Sequence, residues 1–538
     1  MKSRYVSAPQ LQAMLHDGAE LALLDVREAG QFGEAHLLFA TPLPYSRLEL
    51  DIGSLAPRKS VRMVLCDGGA QKVAAIAAQR LEALGYRDVA VLAGGTHAWQ
   101  AAGYGLFAGV NVPSKLFGEL VEHEYHTPRV TVTELVRMKA AHEDFVILDG
   151  RPYSEYHNMN IPGGMCCPNG ELPYRVSEIV ANPKTKIIVN CAGRTRSILG
   201  AQTLINFGVP NPVYALENGT QGWVLAELEL ERGASRRYPE HVDAARLPVL
   251  RKQAQALMQR HGVTTAGADD VRDWQRDPQR TTYLIDVRTR EEFEAGTVPG
   301  AVHAPGGQLI QATDQWVGVR NARIVLIDGE GVRAPVVASW LKQLGCDVYV
   351  LADGIRANAK AARAARPELP QLSGLSATQL KHDLDAGACT AFDLNPSMRF
   401  RKAHVPGSRW SIRSRLAQDA RDVKGSIVLI ADEPDIARAA AIDLLEAGHN
   451  DVQQLEGGLT AWRVAGLPTE ARVDAPSDSE CMDYLFFVHD RHAGNREAMR
   501  QYLAWETGLI GQLDARDRQL FCVGPATAGT EAPAMPKA

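Results

Sequence analysis

Four times along the chain the same order of elements returns, and that order constrains the fold more than any single residue does. A strand-like run ends in aspartate at Asp25 (LALLD), Asp149 (FVILD), Asp286 (TYLID) and Asp393 (CTAFD). Each is followed by a short turn segment: AHLLFA, NIPGG, TVPGA or HVPGS. About 40 residues past the aspartate comes a second apolar run: VRMVLC, KIIVNC, RIVLID or SIVLIA. A helical, alanine-rich or aliphatic stretch follows. A third run then leads into a glycine turn: VLAGGTHAW, ALENGTQGW, VLADGIRAN or QLEGGLTAW. Near-continuous apolar strands alternating with helices are the pattern of a parallel sheet covered on both faces. The expected class is therefore α/β, with four tandem domains, each a mostly parallel sheet flanked by helices. A repeat of more than 100 residues is too long for a solenoid unit and can bury its own core.

The repeats set the boundaries: residues 1–110, 119–233, 262–366 and 374–470. A charged, alanine-rich linker holding a helix joins the second and third. A helical segment at 475–525 and a disordered tail at 526–538 complete the chain of 538 residues. Helix starts are expected at Ser7 and at Thr131 or Thr133. The first two repeats read as one tandem pair and the last two as another.

Composition excludes several classes. The net charge is −5 and no long basic run appears, so nucleic acid is not an expected partner. No apolar stretch approaches the ~20 residues needed to cross a bilayer, so no membrane is expected either. The N-terminus lacks the apolar core of a signal peptide. Eight cysteines lack metal-ligand spacing and show no disulfide framework, which fits a reducing cytoplasm. No metal, nucleotide or flavin is called for, and the oligomeric state is not legible.

One of those cysteines stands apart. Cys191 follows the strand KIIVN and opens the loop Ala192-Gly193-Arg194-Thr195-Arg196-Ser197, which feeds a helix ended by Gly208. Sites in open α/β sheets form outside the carboxyl ends of strands. A loop entering a helix aims several backbone N–H groups at one point, and the helix dipole adds positive potential. With two guanidinium groups beside it, Cys191 is expected to ionise below the ~8.5 of a free thiol. Gly193 permits the tight turn, and Ser197 is a candidate helix cap. The plain alternative is a buried structural thiol.

The fourfold order, Asp-x-Arg at Asp149 and Arg151, the turn Ile161-Pro162-Gly163-Gly164, the loop CAGRTRS and the glycine turn before Trp223 together resemble rhodanese-like domains. The resemblance runs from the N-terminus to about residue 470. It implies a sulfurtransferase whose cysteine accepts a sulfane sulfur as a persulfide and passes it on. No cofactor is then needed beyond that covalent intermediate. Cys191 matches the catalytic position, and Ala192 to Arg196 match the loop that cradles the persulfide. Asp149 and Arg151 match a strand-end pair that supports the site, as structure first. Asn218-Gly219 matches a packing element. Asn160 departs from the histidine this family often has before the Ile-Pro-Gly turn.

The other copies look degenerate. The first keeps Cys66, a second candidate thiol, but Asp67 follows it and neither arginine is present. The third has Asp328, and the fourth Ala431 followed by Asp432 and Glu433. Cys166-Cys167 reads as packing, with a relay thiol as the alternative. Glu171 is a supporting candidate that faces either the pocket or solvent.

Thiosulfate or a small persulfide is the expected donor, and a thiol, a protein or (in vitro) cyanide the expected acceptor. Two arginines would suit a dianion such as thiosulfate. A phosphatase is disfavoured: the related dual-specificity enzymes place five residues between cysteine and arginine, whereas four separate Cys191 from Arg196. A non-catalytic scaffold or sulfur-sensing module remains the alternative from a different class.

Overall fold

The computed structural model describes residues 4–70, 72–361 and 366–524. The expected tail at 526–538 lies outside them. Each repeat forms a five-stranded sheet, and all four share one strand order, 1-5-4-2-3. In the second repeat the order across the sheet is Arg129–Val130, Val213–Leu216, Lys186–Asn190, Phe145–Asp149 and Met165–Cys166, all parallel. The two runs recognised in the sequence are its central neighbours, in a register that sets Asp149 opposite Asn190. The connection leaving Asp149 turns to one edge of the sheet and the one leaving Asn190 to the other. A crevice therefore opens above these two strand ends, where such sheets place their ligands.

Alternation along the strands explains the unbroken apolar runs. Ile147 and Ile188 pack on one face with Leu135, Leu216 and Trp223. Leu148, Ile187 and Val189 pack on the other with Val176 and Leu204. Each such side chain contributes about 1.5–3 kcal/mol when fully buried. Thr131, not Thr133, caps the helix Val132–Ala140, in a capping box with Glu134. Gly208 ends the helix Thr195–Phe207 in the left-handed conformation. The linker contains the helix Leu247–Arg260. The boundary expected at residue 119 falls inside a helix, Val112–Tyr125. Among the described residues no helix is long and apolar enough to cross a membrane.

The pairing of repeats differs from the expected tandem. One compact unit comprises Met1–Ala13, Leu23–Val110 and Ala364–Phe486, and so joins the first repeat to the fourth. The other comprises Met14–Ala22, Asn111–Arg363 and Phe487–Ala538, joining the second repeat to the third. Specific polar contacts fix each pair. In the first unit Arg413 makes a buried fork on Glu49, and Tyr45 donates to Asp443 at 2.8 Å. In the second, Arg333 donates to Glu171 at 2.8 Å and the Trp340 indole to Thr203 at 2.8 Å. Gly170 lies against Gly306 and Gly307, where a side chain would not fit. These contacts join residues far apart in sequence, which the order of repeats does not encode.

Candidate active site

The site is built at the end of the strand Lys186–Asn190. Asp149 accepts a fork from Arg151 (2.9 and 2.7 Å) and a third bond from Asn190 Nδ2 at 3.0 Å. Arg151 also donates to the Met159 carbonyl at 2.6 Å. The pair is buried and complete, so it braces the strand end and leaves nothing to offer a substrate. The same brace is present in the third repeat as Asp286 with Arg288, and in the first as Asp25 with Arg27.

Cys191 follows, 2% exposed, with its Sγ 3.7 Å from Ser197 Oγ. That contact closes the intervening residues into a ring. Ser197 does not cap the helix: Thr195 is its first residue, and the Ser197 hydroxyl donates to the Arg194 carbonyl at 2.8 Å. No described residue accepts a hydrogen bond from the backbone N–H groups of Ala192 to Ser197. Six consecutive donors at a strand end and a helix start form the anion nest expected of the sequence.

Below the ring lies the turn that the sequence suggested was a packing element. Thr220 N–H donates to the Cys191 carbonyl at 2.9 Å and Gln221 N–H to the Ala192 carbonyl at 3.1 Å. Gly219 has φ +52°, and a Cβ there would stand 2.2 Å from the Cys191 oxygen. Only glycine lets the turn approach so closely.

The charge around the ring is not what the sequence implied. Arg194 makes a fork on Glu119 (2.8 and 2.9 Å) and reaches Glu122 as well, both on the helix Val112–Tyr125. Arg196 makes a fork on Glu155 (2.8 and 2.8 Å). Burial pushes the Glu119 carboxyl up to about 7, with Glu506 and Glu122 adding to the effect against the pull of Arg194. Cys191, when ionised, is among the charges that favour the charged form of Arg196. Both guanidiniums are therefore matched by carboxylates that sequence reasoning did not associate with them.

The C-terminal segment completes the enclosure. On the helix Arg496–Gly508, Glu506 is fully buried and accepts from Thr195 Oγ1 at 2.6 Å and from Lys115 Nζ at 3.2 Å. Burial alone would raise this carboxyl; Lys115, the Thr195 hydroxyl and Arg491 hold it below the usual range. A Cβ on Gly193 would lie 3.1 Å from Glu506 Oε2, 3.3 Å from Gln221 Nε2 and 3.3 Å from the Tyr502 ring. Gly193 is thus needed for the closeness of its neighbours, its φ being ordinary. Arg491 stacks on Tyr502, 3.4 Å from the ring centroid.

Three sequence-level candidates fall elsewhere. Glu171 faces neither pocket nor solvent: it is buried and bonded to Arg175 and Arg333, holding the second and third repeats together. Cys66 does not occupy the catalytic position. Its carbonyl accepts from Val26 N–H as Asn190 accepts from Gly150 N–H, whereas Asp67 meets Thr96 as Cys191 meets Thr220. The residue equivalent to Cys191 is therefore Asp67, and Cys66 is the last strand residue, its thiol pushed well up by burial and by Asp25. The spacing carried this signal, since Cys191 and Asp67 each lie 28 residues before the glycine at their turn, Gly219 or Gly95. Cys166 and Cys167 are both fully buried, and burial pushes the first thiol up to about 12 and the second well up too. They pack; neither presents a thiolate.

A model of the rhodanese-like domain matches residues 7–102, 131–226, 267–361 and 376–465. The crystal structure of a thiosulfate sulfurtransferase from Pseudomonas aeruginosa is 42% identical, covers 97% of this chain and 100% of that one, and superposes with a TM-score of 0.90. The Alr3790 protein from Anabaena is 27% identical and covers 18% of this chain and 93% of its own, with a TM-score of 0.18. An HTH-type transcriptional regulator of Mycobacterium tuberculosis is 27% identical over 203 residues, 36% of this chain and 85% of that protein. With four matched segments in order, each folded as its own sheet of the same strand order, the chain belongs to the rhodanese family.

Proposed function

We propose that the protein is a sulfurtransferase that carries a sulfane sulfur on Cys191. The observation that carries this reading is the unfilled ring of N–H donors from Ala192 to Ser197 around a single cysteine. The Pseudomonas thiosulfate sulfurtransferase, alike over nearly the whole chain, supports the same chemistry.

The cycle is nucleophilic displacement at sulfur. Cys191 thiolate attacks the outer sulfur of thiosulfate or of an organic persulfide. A bond forms between the two sulfurs, and the bond to the leaving group breaks, releasing sulfite or a thiolate with the electron pair. An acceptor (a thiol, a protein thiol or cyanide) then attacks the terminal sulfur, and the Cys191 thiolate is regenerated. The ring holds the extra sulfur as an anion without moving, because its donors are fixed by the strand end and the helix start. No metal, nucleotide or flavin enters the cycle. A phosphate would need a wider loop and a free guanidinium, and Arg196 is held by Glu155.

The intact mass after treatment with a sulfur donor tests this. Wild type is expected to gain one sulfur atom, to lose it to cyanide, and to show neither after Cys191→Ala. A protein that takes no sulfur from thiosulfate or from cysteine persulfide would leave the scaffold reading in its place.

A further inference from the structure

The two arginines of the loop are the natural candidates for holding a dianionic donor, and the structure has already committed them. Arg194 is divided between Glu119 and Glu122, and Arg196 is forked on Glu155. Lys115 is paired with Glu506, and Arg491 lies over Tyr502. The cradle is therefore not a net cationic pocket. The third repeat sharpens the point. There Arg333 occupies the place of Arg196 and forks on Glu292 in the place of Glu155, at 2.6 and 2.8 Å, although the loop there has Asp328 and no cysteine to serve. An arginine–glutamate fork kept where no sulfur can be carried is part of the fold.

From this we infer that the Cys191 site takes its sulfur from an organic persulfide, in preference to thiosulfate, and that Glu155 and Glu122 set that preference. The inference rests on the sulfur-transfer reading. The ring of N–H groups surrounds the position of one sulfur atom on Cys191. The sulfonate of thiosulfate would sit outside that ring, where only the guanidiniums could stabilise it, and carboxylates already occupy them. Two negative charges would leave water and meet an electrically compensated wall, a poor exchange. A protonated alkyl persulfide brings no charge to the reacting end, and the leaving thiolate carries away the charge that Cys191 brought. In balance, Cys191–S⁻ and R–S–SH give Cys191–S–SH and R–S⁻: one sulfur–sulfur bond forms and one breaks.

The test compares thiosulfate with cysteine persulfide, cyanide being the acceptor for both. In wild type kcat/KM is expected to favour the persulfide by at least tenfold. The thiosulfate rate is expected to rise as ionic strength goes from roughly 50 to 500 mM, because salt screens the repulsion between the dianion and the Cys191 thiolate, which no unpaired guanidinium of the loop offsets. Glu155→Gln and Glu122→Gln, at partly exposed carboxylates that leave the core intact, are expected to shift the ratio about tenfold toward thiosulfate and to reverse its salt dependence. A wild-type preference for thiosulfate, or a thiosulfate rate that falls with salt, would overturn the inference while Cys191 still gained sulfur. So would a ratio unmoved in both folded variants. Absence of a sulfur adduct with either donor would instead remove the reading beneath it, and this inference with it.

Discussion

The second and third repeats lie in one compact unit and their two sheets have the same strand order, yet their loops treat the same ring of donors in opposite ways. Around Cys191 the N–H groups from Ala192 to Ser197 have no acceptor among the described residues. Around Asp328 they are filled from within. Its carboxylate accepts from Gly331 (3.0 Å), Val332 (2.8 Å) and Ala334 (3.0 Å). Glu330 accepts from Gly329 and from Arg333, each at 3.2 Å. A side-chain carboxylate thus sits where a sulfur anion would sit. The degenerate copy did not lose its nest; it filled it with a carboxyl group of its own. In the other unit Asp67 does the same for the first repeat, accepting from Gly69 at 2.6 Å and Ala74 at 3.0 Å. Site and scaffold thus differ chiefly in whether the nest is left empty.

The largest effect should come from exchanging the two residues. Cys191→Asp is expected to fold, with a thermal midpoint at or above wild type, because the new carboxylate meets donors that otherwise have no partner. It should take up no sulfur. Asp328→Cys should gain none either, since Glu330 would still hold the Arg333 N–H and side chain over that loop. Intact mass after cysteine persulfide reads both variants. An Asp328→Cys variant labelled at residue 328 would show that a thiol on this sheet is sufficient, and the empty nest would lose its meaning.

Much of this was legible in the sequence. The fourfold order of runs located every central strand, and the strand–cysteine–loop–helix sequence placed Cys191 where sheet topology puts ligands. Local features carry local signals: Gly208 read correctly as the end of its helix, and Thr131 is the cap of the two threonines offered for the other. What failed was charge. Two arginines in a loop suggest a cationic pocket only while their partners are unknown; Glu119, Glu122 and Glu155 reach them from other elements, and Glu506 reaches Thr195 between them. Glu506 is 315 residues beyond Cys191, on a segment with no repeat pattern to align. Glu171 failed for the same reason, its partner Arg333 lying in the next repeat. Cys66 is different. There the information was present, in the spacing to the glycine turn, and the identity of the residue outweighed it.

A smaller effect separates shared architecture from chemistry. Gly219 and Gly354 serve the same turn, with φ +52° and +51°, and a Cβ at either would stand 2.2 or 2.1 Å from the carbonyl of Cys191 or Asp328. Alanine at either position is expected to cost about 3 kcal/mol, from left-handed strain and the forced shift of the loop. Only Gly219→Ala should also lower sulfur transfer, by tenfold or more, because only there does the displaced loop carry sulfur. Chemical denaturation and persulfide turnover measured on both variants separate the two outcomes. Equal loss of turnover would mean that the third repeat takes part in the reaction.

The smallest effect concerns the cost of ionising the carboxyl that fills the nest. Burial, with the nearby Glu330, pushes the Asp328 carboxyl up to about 7, against about 3.9 in an unfolded chain. Between those values the folded state holds the proton and the unfolded state does not. Stability from this group is therefore present at low pH and is lost as pH rises through about 7. Each unit of displacement is worth about 1.4 kcal/mol, so wild type should lose about 2.7 kcal/mol relative to Asp328→Asn between pH 5 and pH 8. Glu330, whose carboxyl is held low by Arg333 against its own burial, titrates below this window. Glu119, also pushed up to about 7, is common to both proteins and cancels in the difference. Thermal midpoints at the two pH values give the comparison. Parallel behaviour of the two proteins would mean that the three N–H bonds keep Asp328 ionised throughout, so that the self-filled nest carries no penalty for its charge.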